Sequence, residues 1–144
     1  KLRWTPNIIL CSGWMSALAP LYLKKAYNNE PFFAHSKIVL MLDNEEYTKP
    51  FGTKFAEKLR IDGISNTDVR SIAGFPVGYE ELMRLAVDYS DAVVYASPQV
   101  NQRVMNYAET KGKPILPFEE YENENEFCKR QWEFFQTLLD KTNE

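Results

Sequence analysis

Short apolar runs alternate with amphipathic stretches along this chain, and the alternation predicts strands and helices in turn. Runs rich in β-branched and long aliphatic residues predict four strands, at residues 7–11, 37–42, 91–98 and 114–118. The first run is almost wholly apolar, so we expect it to be buried on both faces. The third runs into the start of a helix, and two prolines in the fourth indicate an edge position.

Apolar residues at helical spacing predict the helices. The predicted helices are residues 18–25, 50–60, 79–90, 98–111 and 127–139. Ser97 is the expected N-cap of the fourth helix and Pro98 its first residue, and Gly112 ends it. The last helix carries a wide apolar stripe that must pack on the sheet or on a partner. Its expected main face is Cys128, Trp132, Phe135 and Leu139, with Phe127, Phe134 and Leu138 beside it.

The order of these elements predicts an α/β fold. Strands that alternate with helices imply a three-layer Rossmann-like parallel sheet with helices on both faces and right-handed crossovers. Residues 61–78 hold several glycines and short polar residues, and we expect an irregular excursion there. A chain of 144 residues fits one such domain, residues 1–144.

Composition excludes several classes of function. The net charge is −3, which argues against a general affinity for nucleic acid. No apolar run approaches the roughly 20 residues of a membrane span, and nothing resembles a signal peptide. We therefore expect a cytoplasmic protein without membrane contact. Cys11 and Cys128 are then free thiols, and Cys11, on an apolar strand, is an inert core residue.

The break after the first strand carries a resemblance to a known family. Gly13-Trp14-Met15-Ser16-Ala17-Leu18-Ala19-Pro20-Leu21-Tyr22-Leu23 resembles the amino-terminal catalytic domain of bacterial glycogen synthases and plant starch synthases. Trp14, Leu18 and Pro20 match that family. Met15 stands where the family has a histidine, and a thioether cannot replace an imidazole in handling a proton or charge.

Two later segments carry the same resemblance. The second strand ends in Asp43-Asn44, where Asn44 matches the asparagine of a Val-His-Asn-like block and Asp43 replaces its histidine. An acid there raises the repulsion of a nucleotide diphosphate. Ser90-Asp91, the third strand and Ser97-Pro98 match the Ala-Asp pair, strand and Val-Ser-Pro block of the family. The likeness runs over about residues 1–111.

The resemblance implies part of a GT-B amino-terminal domain, in an enzyme that moves glucosyl units from ADP-glucose to α-1,4-glucan. The family's lysine-glycine loop, the histidine after Trp14 and the carboxy-terminal nucleotide-binding domain are missing from this sequence. We therefore take the chain as a piece of something longer, assign no catalytic residue, and expect no transfer by the chain alone. The alternative is a non-catalytic glucan-binding or regulatory protein on the same fold, docking to a partner protein.

The candidate ligand site is the carboxyl edge of the predicted sheet, where α/β proteins bind ligands. Its candidate residues are Ser12, Gly13, Trp14, Met15, Asp43, Asn44 and Ser97. An aromatic face at Trp14 suits a glucose ring, and Asp43, Asn44 and Glu46 suit its hydroxyls. The competing interpretation is that Trp14 and Met15 cap the core beneath the missing second domain.

Further hypotheses concern a bound phosphate and a bound metal ion. The turn Ser12-Gly13 could present amides to a phosphate, although it lacks the paired glycines of a nucleotide loop. Asp43, Glu45 and Glu46 could hold a divalent cation, although adjacent loop acids are more often solvated. His35, the only histidine, precedes the second strand and therefore belongs to the opposite edge. We predict no cofactor and no metal. A flavodoxin-like receiver domain would need an acidic pair after the first strand, which this sequence lacks.

Overall fold

The computed structural model describes residues 4–140, so both ends of the predicted 1–144 domain lie outside the described residues. The strands are β1 (Ile8–Ser12), β2 (Lys37–Leu42), β3 (Ala92–Tyr95) and β4 (Ile115–Leu116). The α-helices are α1 (Ala19–Lys25), α2 (Phe55–Lys58), α3 (Tyr79–Tyr89), α4 (Gln102–Thr110) and α5 (Glu124–Asp140). Short 3-10 turns at Trp14–Ser16 and Arg70–Ile72 complete the described elements.

The four strands form one parallel sheet in the order β1-β2-β3-β4. In the register, Cys11 pairs with Leu40, which pairs with Val93, which pairs with Ile115. Strands that follow each other in the sequence are therefore also neighbours in the sheet. Because these neighbours are parallel, a crossover connection joins each strand to the next. The parallel sheet predicted from the sequence is confirmed.

Helices cover both faces of the sheet. Alternate residues of β2 point to opposite sides, so that Ile38, Leu40 and Leu42 belong to one core cluster and Val39 to the other. The larger cluster includes Leu21 of α1, Leu82 of α3 and Val104 of α4, whereas the smaller one is closed by α5. This arrangement confirms the three-layer Rossmann-like architecture.

The expectation that the first strand is buried on both faces is wrong. Cys11 is buried with 3% exposure, but Leu10 next to it is 41% exposed. The reason is the strand order, because β1 lies at an edge and pairs only with β2 in the described residues. Cys11 faces the core, where burial raises the pKa of its thiol, in agreement with an inert residue. Both cysteines are free, as predicted.

The last helix turns a different side to the sheet than its stripe predicted. Phe127, Phe134 and Leu138, expected only at the margin, pack with Phe135 on β2 and β3. Trp132, expected on the buried face, is 64% exposed, and Cys128 is exposed as well. A stripe wider than one helix face can dock in more than one rotation, and the neighbouring layer selects one of them.

The second and fourth helices differ most from the predicted boundaries, and α5 begins at Glu124 rather than at residue 127. The helix expected over residues 50–60 shrinks to the four residues of α2, because Phe51 instead forms an isolated antiparallel bridge with Val77. The fourth helix starts at Gln102 rather than at Pro98, and its N-cap is Asn101 rather than Ser97. Among residues 4–140, no helix combines the length and the apolar character needed to cross a bilayer.

Candidate functional site

The turns that follow β1, β2 and β3 lie at one edge of the sheet, because the strands are parallel and their carboxyl ends point the same way. The residues predicted to bind a ligand lie at these strand ends: Ser12 is the last residue of β1, and the turns carry Gly13, Trp14, Met15, Asp43, Asn44 and Ser97. The fold thus places the candidate residues of three separate segments along the edge where open α/β sheets bind ligands.

The turn after β1 is shaped by Gly13, whose φ of 75° and ψ of 160° are open only to glycine. The Ser16 hydroxyl braces it by donating to the carbonyl oxygens of Ser12 at 2.8 Å and Gly13 at 2.9 Å. A Cβ built on Gly13 would stand 2.8 Å from Oε2 of Glu45, so a carboxylate lies against the turn. That negative charge disfavours the hypothesis of a phosphate at Ser12-Gly13.

Trp14 belongs to an aromatic cluster at the top of the core. Its ring centroid lies 5.0 Å from Tyr47 and 6.4 Å from Phe51, and Phe51 stacks on Phe55 at 4.4 Å. The Tyr47 hydroxyl donates to the Val77 carbonyl at 3.2 Å, which ties this cluster to the segment before α3. This packing agrees with the competing interpretation for Trp14, namely that it caps the core. Trp14 nevertheless keeps a partly exposed surface.

Met15 points away from that core, since 83% of its surface is exposed. It lies in the 3-10 turn directly beside Trp14. An exposed thioether can contribute apolar contact to a ligand, but it cannot carry charge or donate a proton. The carboxyl edge therefore lacks an imidazole in the described residues.

The turn after β2 makes this edge acidic. The carboxylate of Asp43 accepts from the backbone amide of Asn44 at 2.8 Å, and Glu45 and Glu46 follow in the same loop. Burial raises the pKa of the nearby Tyr79 to about 12, with help from the charges of Glu46, Glu45 and Asp43. Within residues 4–140, no group of three or more histidine, cysteine or carboxylate side chains is arranged to hold a metal ion.

Asn101 is a structural residue of this edge that the sequence analysis missed. Its side-chain oxygen accepts from the amides of Arg103 and Val104 at 3.0 and 3.2 Å, and its Nδ2 donates to Oε1 of Glu46 at 2.9 Å. Ser97 instead closes a local turn, in which its Oγ accepts from the amide of Gln99 at 3.1 Å. Asparagine is among the best N-caps, so the residue type alone was a usable signal.

An aromatic cavity of about 370 Å³ opens further along the edge, and the sequence analysis missed it too. Its rings are those of Phe118, Tyr121 and Phe127, with Tyr121 lying 5.2 Å from Phe127 and 6.3 Å from Phe118. Ala96, the residue after β3, lines its wall, which places it at the carboxyl edge. The Tyr121 hydroxyl is buried and has no hydrogen-bond partner within residues 4–140.

Comparison with known proteins identifies the family of this chain. The model of the family described as the starch synthase catalytic domain matches residues 1–114, which is most of the chain. The chain belongs to this family. Both segments that carry the sharpest resemblance, residues 13–23 and 90–98, lie inside the matched region. The rings of the aromatic cavity lie beyond it, from Phe118 onward.

Curated relatives agree with the family assignment. The chain is 25% identical over 112 residues to a glycogen synthase of Aeromonas salmonicida, covering 78% of this chain and 22% of that protein. It is 29% identical over 97 residues to a glycogen synthase of Desulforudis audaxviator, covering 67% of this chain and 19% of that protein. A glycogen synthase of Vibrio parahaemolyticus is 41% identical over 51 residues, 35% of this chain and 10% of that protein. No solved structure matches.

The chain therefore spans about a fifth of the length of the first two of these relatives. Family membership applies to the fold and to the segment that is matched. The activity and ligands of a whole synthase do not follow from that segment alone.

Proposed function

We propose that this chain is part of the amino-terminal domain of a glucosyltransferase of the glycogen and starch synthase kind. The reaction of that class moves a glucosyl unit from ADP-glucose to an α-1,4-glucan. The observation that carries the proposal is the family match over residues 1–114, joined to a parallel sheet whose carboxyl edge gathers the family-like turns. The residues 1–144 then form one domain of a cytoplasmic protein.

Two features of the edge support contact with a glucan. Trp14 is half-buried at the same sheet edge that carries Asp43 and Asn44, and aromatic rings suit the apolar faces of glucose units. The aromatic cavity adds a second ring surface, with Asn123 and Glu124 in its wall as partners for hydroxyl groups. We propose that the seven candidate residues and this cavity form one glucan-binding edge.

The same edge supports the proposal that the chain does not transfer glucose by itself. Met15 offers no charge where the family has a histidine, and Glu45 places a carboxylate against the turn at Gly13. Both features weaken the stabilisation of a nucleotide diphosphate, because anions near a phosphate repel it. The chemistry of transfer then depends on parts of the protein beyond this segment, and docking to those parts is a further element of the proposal.

The test uses ADP-[14C]glucose and glycogen, with the 144-residue chain and the intact protein from its native host assayed side by side. We expect glucosyl incorporation by the intact protein and none by the chain, with both sedimenting with glycogen. Phe118→Ala should weaken sedimentation of the chain at least fivefold, whereas Trp132→Ala removes an exposed ring on α5 and should leave it unchanged. Thermal unfolding of both variants checks that they are folded.

A second candidate function is a non-catalytic glucan-binding or regulatory protein on the synthase fold. The exposed Met15 and the acidic loop at 43–46 favour it, since neither suits a nucleotide sugar. Glucosyl incorporation by the intact protein would exclude this second candidate. Glycogen binding by the intact protein without incorporation would instead exclude the transferase.

A further inference from the structure

A separate cavity of about 430 Å³ lies between α2 and the segment 66–74. Its floor is apolar, formed in part by the buried Ala56 and Val69, with 4% and 2% exposure. The walls are polar and include Thr53, Glu57, Asn66 and Thr67. None of the candidate residues of the carboxyl edge lines this cavity, so it is a distinct feature of the fold.

Two arginines line the cavity, and they differ from the other arginines that the structure describes. Arg84 and Arg103 both lie within 4.0 Å of Glu80 carboxylate oxygens, and Arg130 pairs with Glu119 at 3.0 Å. In the described part of the chain, Arg60 and Arg70 pair with no carboxylate. Among the arginines that the structure describes, the two without a carboxylate partner are therefore the two that share this cavity.

A hydrogen bond to an exposed neighbour holds the Arg60 side chain. Its Nη1 donates to Oδ1 of Asn66 at 2.8 Å, which holds the guanidinium at the cavity wall and leaves its positive charge without a counter-ion. Arg70 lies in the wall on the 3-10 turn Arg70–Ile72. Two arginines against the one carboxylate of Glu57 leave the described lining with a net charge of +1, which favours an anion.

The side chains in the cavity walls indicate which class of anion the cavity can bind. Arginine forks match the oxygens of a phosphate in a bidentate manner. The cavity volume lies in the range of small-molecule sites, roughly 300–1,000 Å³, which is far more than a bare phosphate needs. Thr53, Asn66, Thr67 and Glu57 offer donors and acceptors for hydroxyl groups. Within residues 4–140, no aromatic ring lines the cavity to stack a nucleobase.

We propose that this cavity binds a phosphate monoester of a sugar. The phosphate lies between Arg60 and Arg70, the hydroxyl groups of the sugar meet Glu57 and the neutral polar side chains, and its C–H face rests on the apolar floor. The proposal is independent of the glucan-binding edge, and the failure of one would leave the other standing.

Isothermal titration of the 144-residue chain with glucose 6-phosphate, glucose and inorganic phosphate tests the proposal. We expect glucose 6-phosphate to bind at least tenfold more tightly than either of the other two. Equal affinity for inorganic phosphate would overturn the sugar part of the proposal, and equal affinity for glucose would overturn the role of the arginines. Absence of any binding by glucose 6-phosphate would overturn the whole.

Matched variants locate the site. Arg70→Gln removes a charge that makes no side-chain hydrogen bond or ion pair within residues 4–140, and it should weaken glucose 6-phosphate at least tenfold. Arg103→Gln makes the same charge change outside the cavity and should alter the affinity less than twofold. Arg60→Gln also breaks the contact with Asn66, so the unfolding temperature of this variant is measured first. If Arg60→Gln is unstable, the affinity of Arg70→Gln decides the test. Equal effects of Arg70→Gln and Arg103→Gln would show a response to net charge only.

An uncharged substitution tests whether the ligand occupies the cavity or only responds to surface charge. Ala73 lines the cavity, and Ala73→Leu should fill part of its volume while keeping both arginines. We expect this variant to weaken glucose 6-phosphate at least fivefold while inorganic phosphate changes less than twofold. An unchanged affinity for glucose 6-phosphate would place the ligand outside the cavity and overturn the assignment.

Discussion

The side chain of Asn101 joins two turns of the carboxyl edge to each other. Its Nδ2 donates to Oε1 of Glu46 at 2.9 Å, while its Oδ1 accepts from the amide of Arg103 at 3.0 Å. The same amide group therefore caps α4 and holds the loop that follows β2. The position of the acidic loop is thus coupled to the start of α4.

Two substitutions of Asn101 separate these roles. Asn101→Ala removes both and should lower the free energy of unfolding by about 1–2 kcal/mol, measured by urea denaturation. Asn101→Asp keeps an acceptor for the cap but loses the donor and puts a second carboxylate beside Glu46. We expect a smaller loss, about 0.5–1 kcal/mol, which Glu46→Gln relieves because a glutamine amide can donate. Equal losses in the Ala and Asp variants would contradict the capping role.

Substitution of Gly13 should destabilise the protein through two separate effects, and each effect can be measured on its own. Gly13→Ala forces a φ of 75° with a ψ of 160° on a residue with a Cβ, at a cost of about 1–3 kcal/mol in the free energy of unfolding. The new Cβ also meets Oε2 of Glu45. Repeating the substitution in a Glu45→Ala background removes only this second contribution.

Gly112 provides the control for that experiment. It has a φ of 63° at the end of α4, and a Cβ built on it would meet nothing within 4 Å. Gly112→Ala should therefore cost only the conformational part, about 1 kcal/mol. A smaller loss for Gly13→Ala than for Gly112→Ala would argue against the strained turn after β1.

Acid should weaken the protein through Asp68. Hydrogen bonds from Lys25, whose Nζ lies 2.8 Å away, and from Ser65 hold the pKa of the Asp68 carboxyl well below its usual range. A depressed folded pKa gives stability that is complete above the unfolded value, ~3.9, and is lost as the pH falls through the folded value. Asp68→Asn should therefore lower the free energy of unfolding by about 1–2 kcal/mol at pH 7.

The difference between the wild type and Asp68→Asn should then shrink in strong acid. Urea unfolding at a series of pH values between pH 7 and about pH 2 measures it. Asp62→Asn, which changes an exposed acid in the same excursion, is the control and should show only a small difference at pH 7. A difference for Asp68→Asn that stays constant with pH would show that its carboxylate is not stabilised by Lys25 and Ser65.

The packing of α5 predicts opposite outcomes for two large side chains. Leu138 is 6% exposed and packs on β2 and β3, so Leu138→Ala should cost about 2–4 kcal/mol in the free energy of unfolding. Trp132 is 64% exposed, and Trp132→Ala should change that free energy by less than about 0.5 kcal/mol. A larger loss of unfolding free energy for Trp132→Ala would instead favour the buried helix face that the sequence pattern predicts.

The local elements were readable from the sequence because their causes are local. The run 37–42 is apolar at nearly every position, as a strand covered on both sides requires, and it became the buried strand β2. The predicted helix 79–90 has one apolar stripe and acids in its first turn, and α3 spans Tyr79–Tyr89. Alternation of such elements was sufficient for the parallel three-layer fold, because few topologies can bury all of their apolar faces.

Tertiary structure decided what covers each apolar face. Leu10 is apolar like the residues of β2, yet it is exposed because its strand lies at the edge, and strand order is not encoded in any single segment. The stripe of α5 allows several rotations, and contact with Val39 and Val94 selects the one that leaves Trp132 exposed. Both outcomes depend on elements far apart in sequence.

The candidate sites divide in the same way. The sequence by itself determined which turns reach the carboxyl edge, because parallel strands bring their ends together wherever they lie in the sheet. It did not determine that Glu45 lies against Gly13, that Asn101 holds Glu46, or that Arg60 and Arg70 line one cavity. Those contacts join side chains across loops, and loop paths are set by the packing of the whole domain rather than by local periodicity.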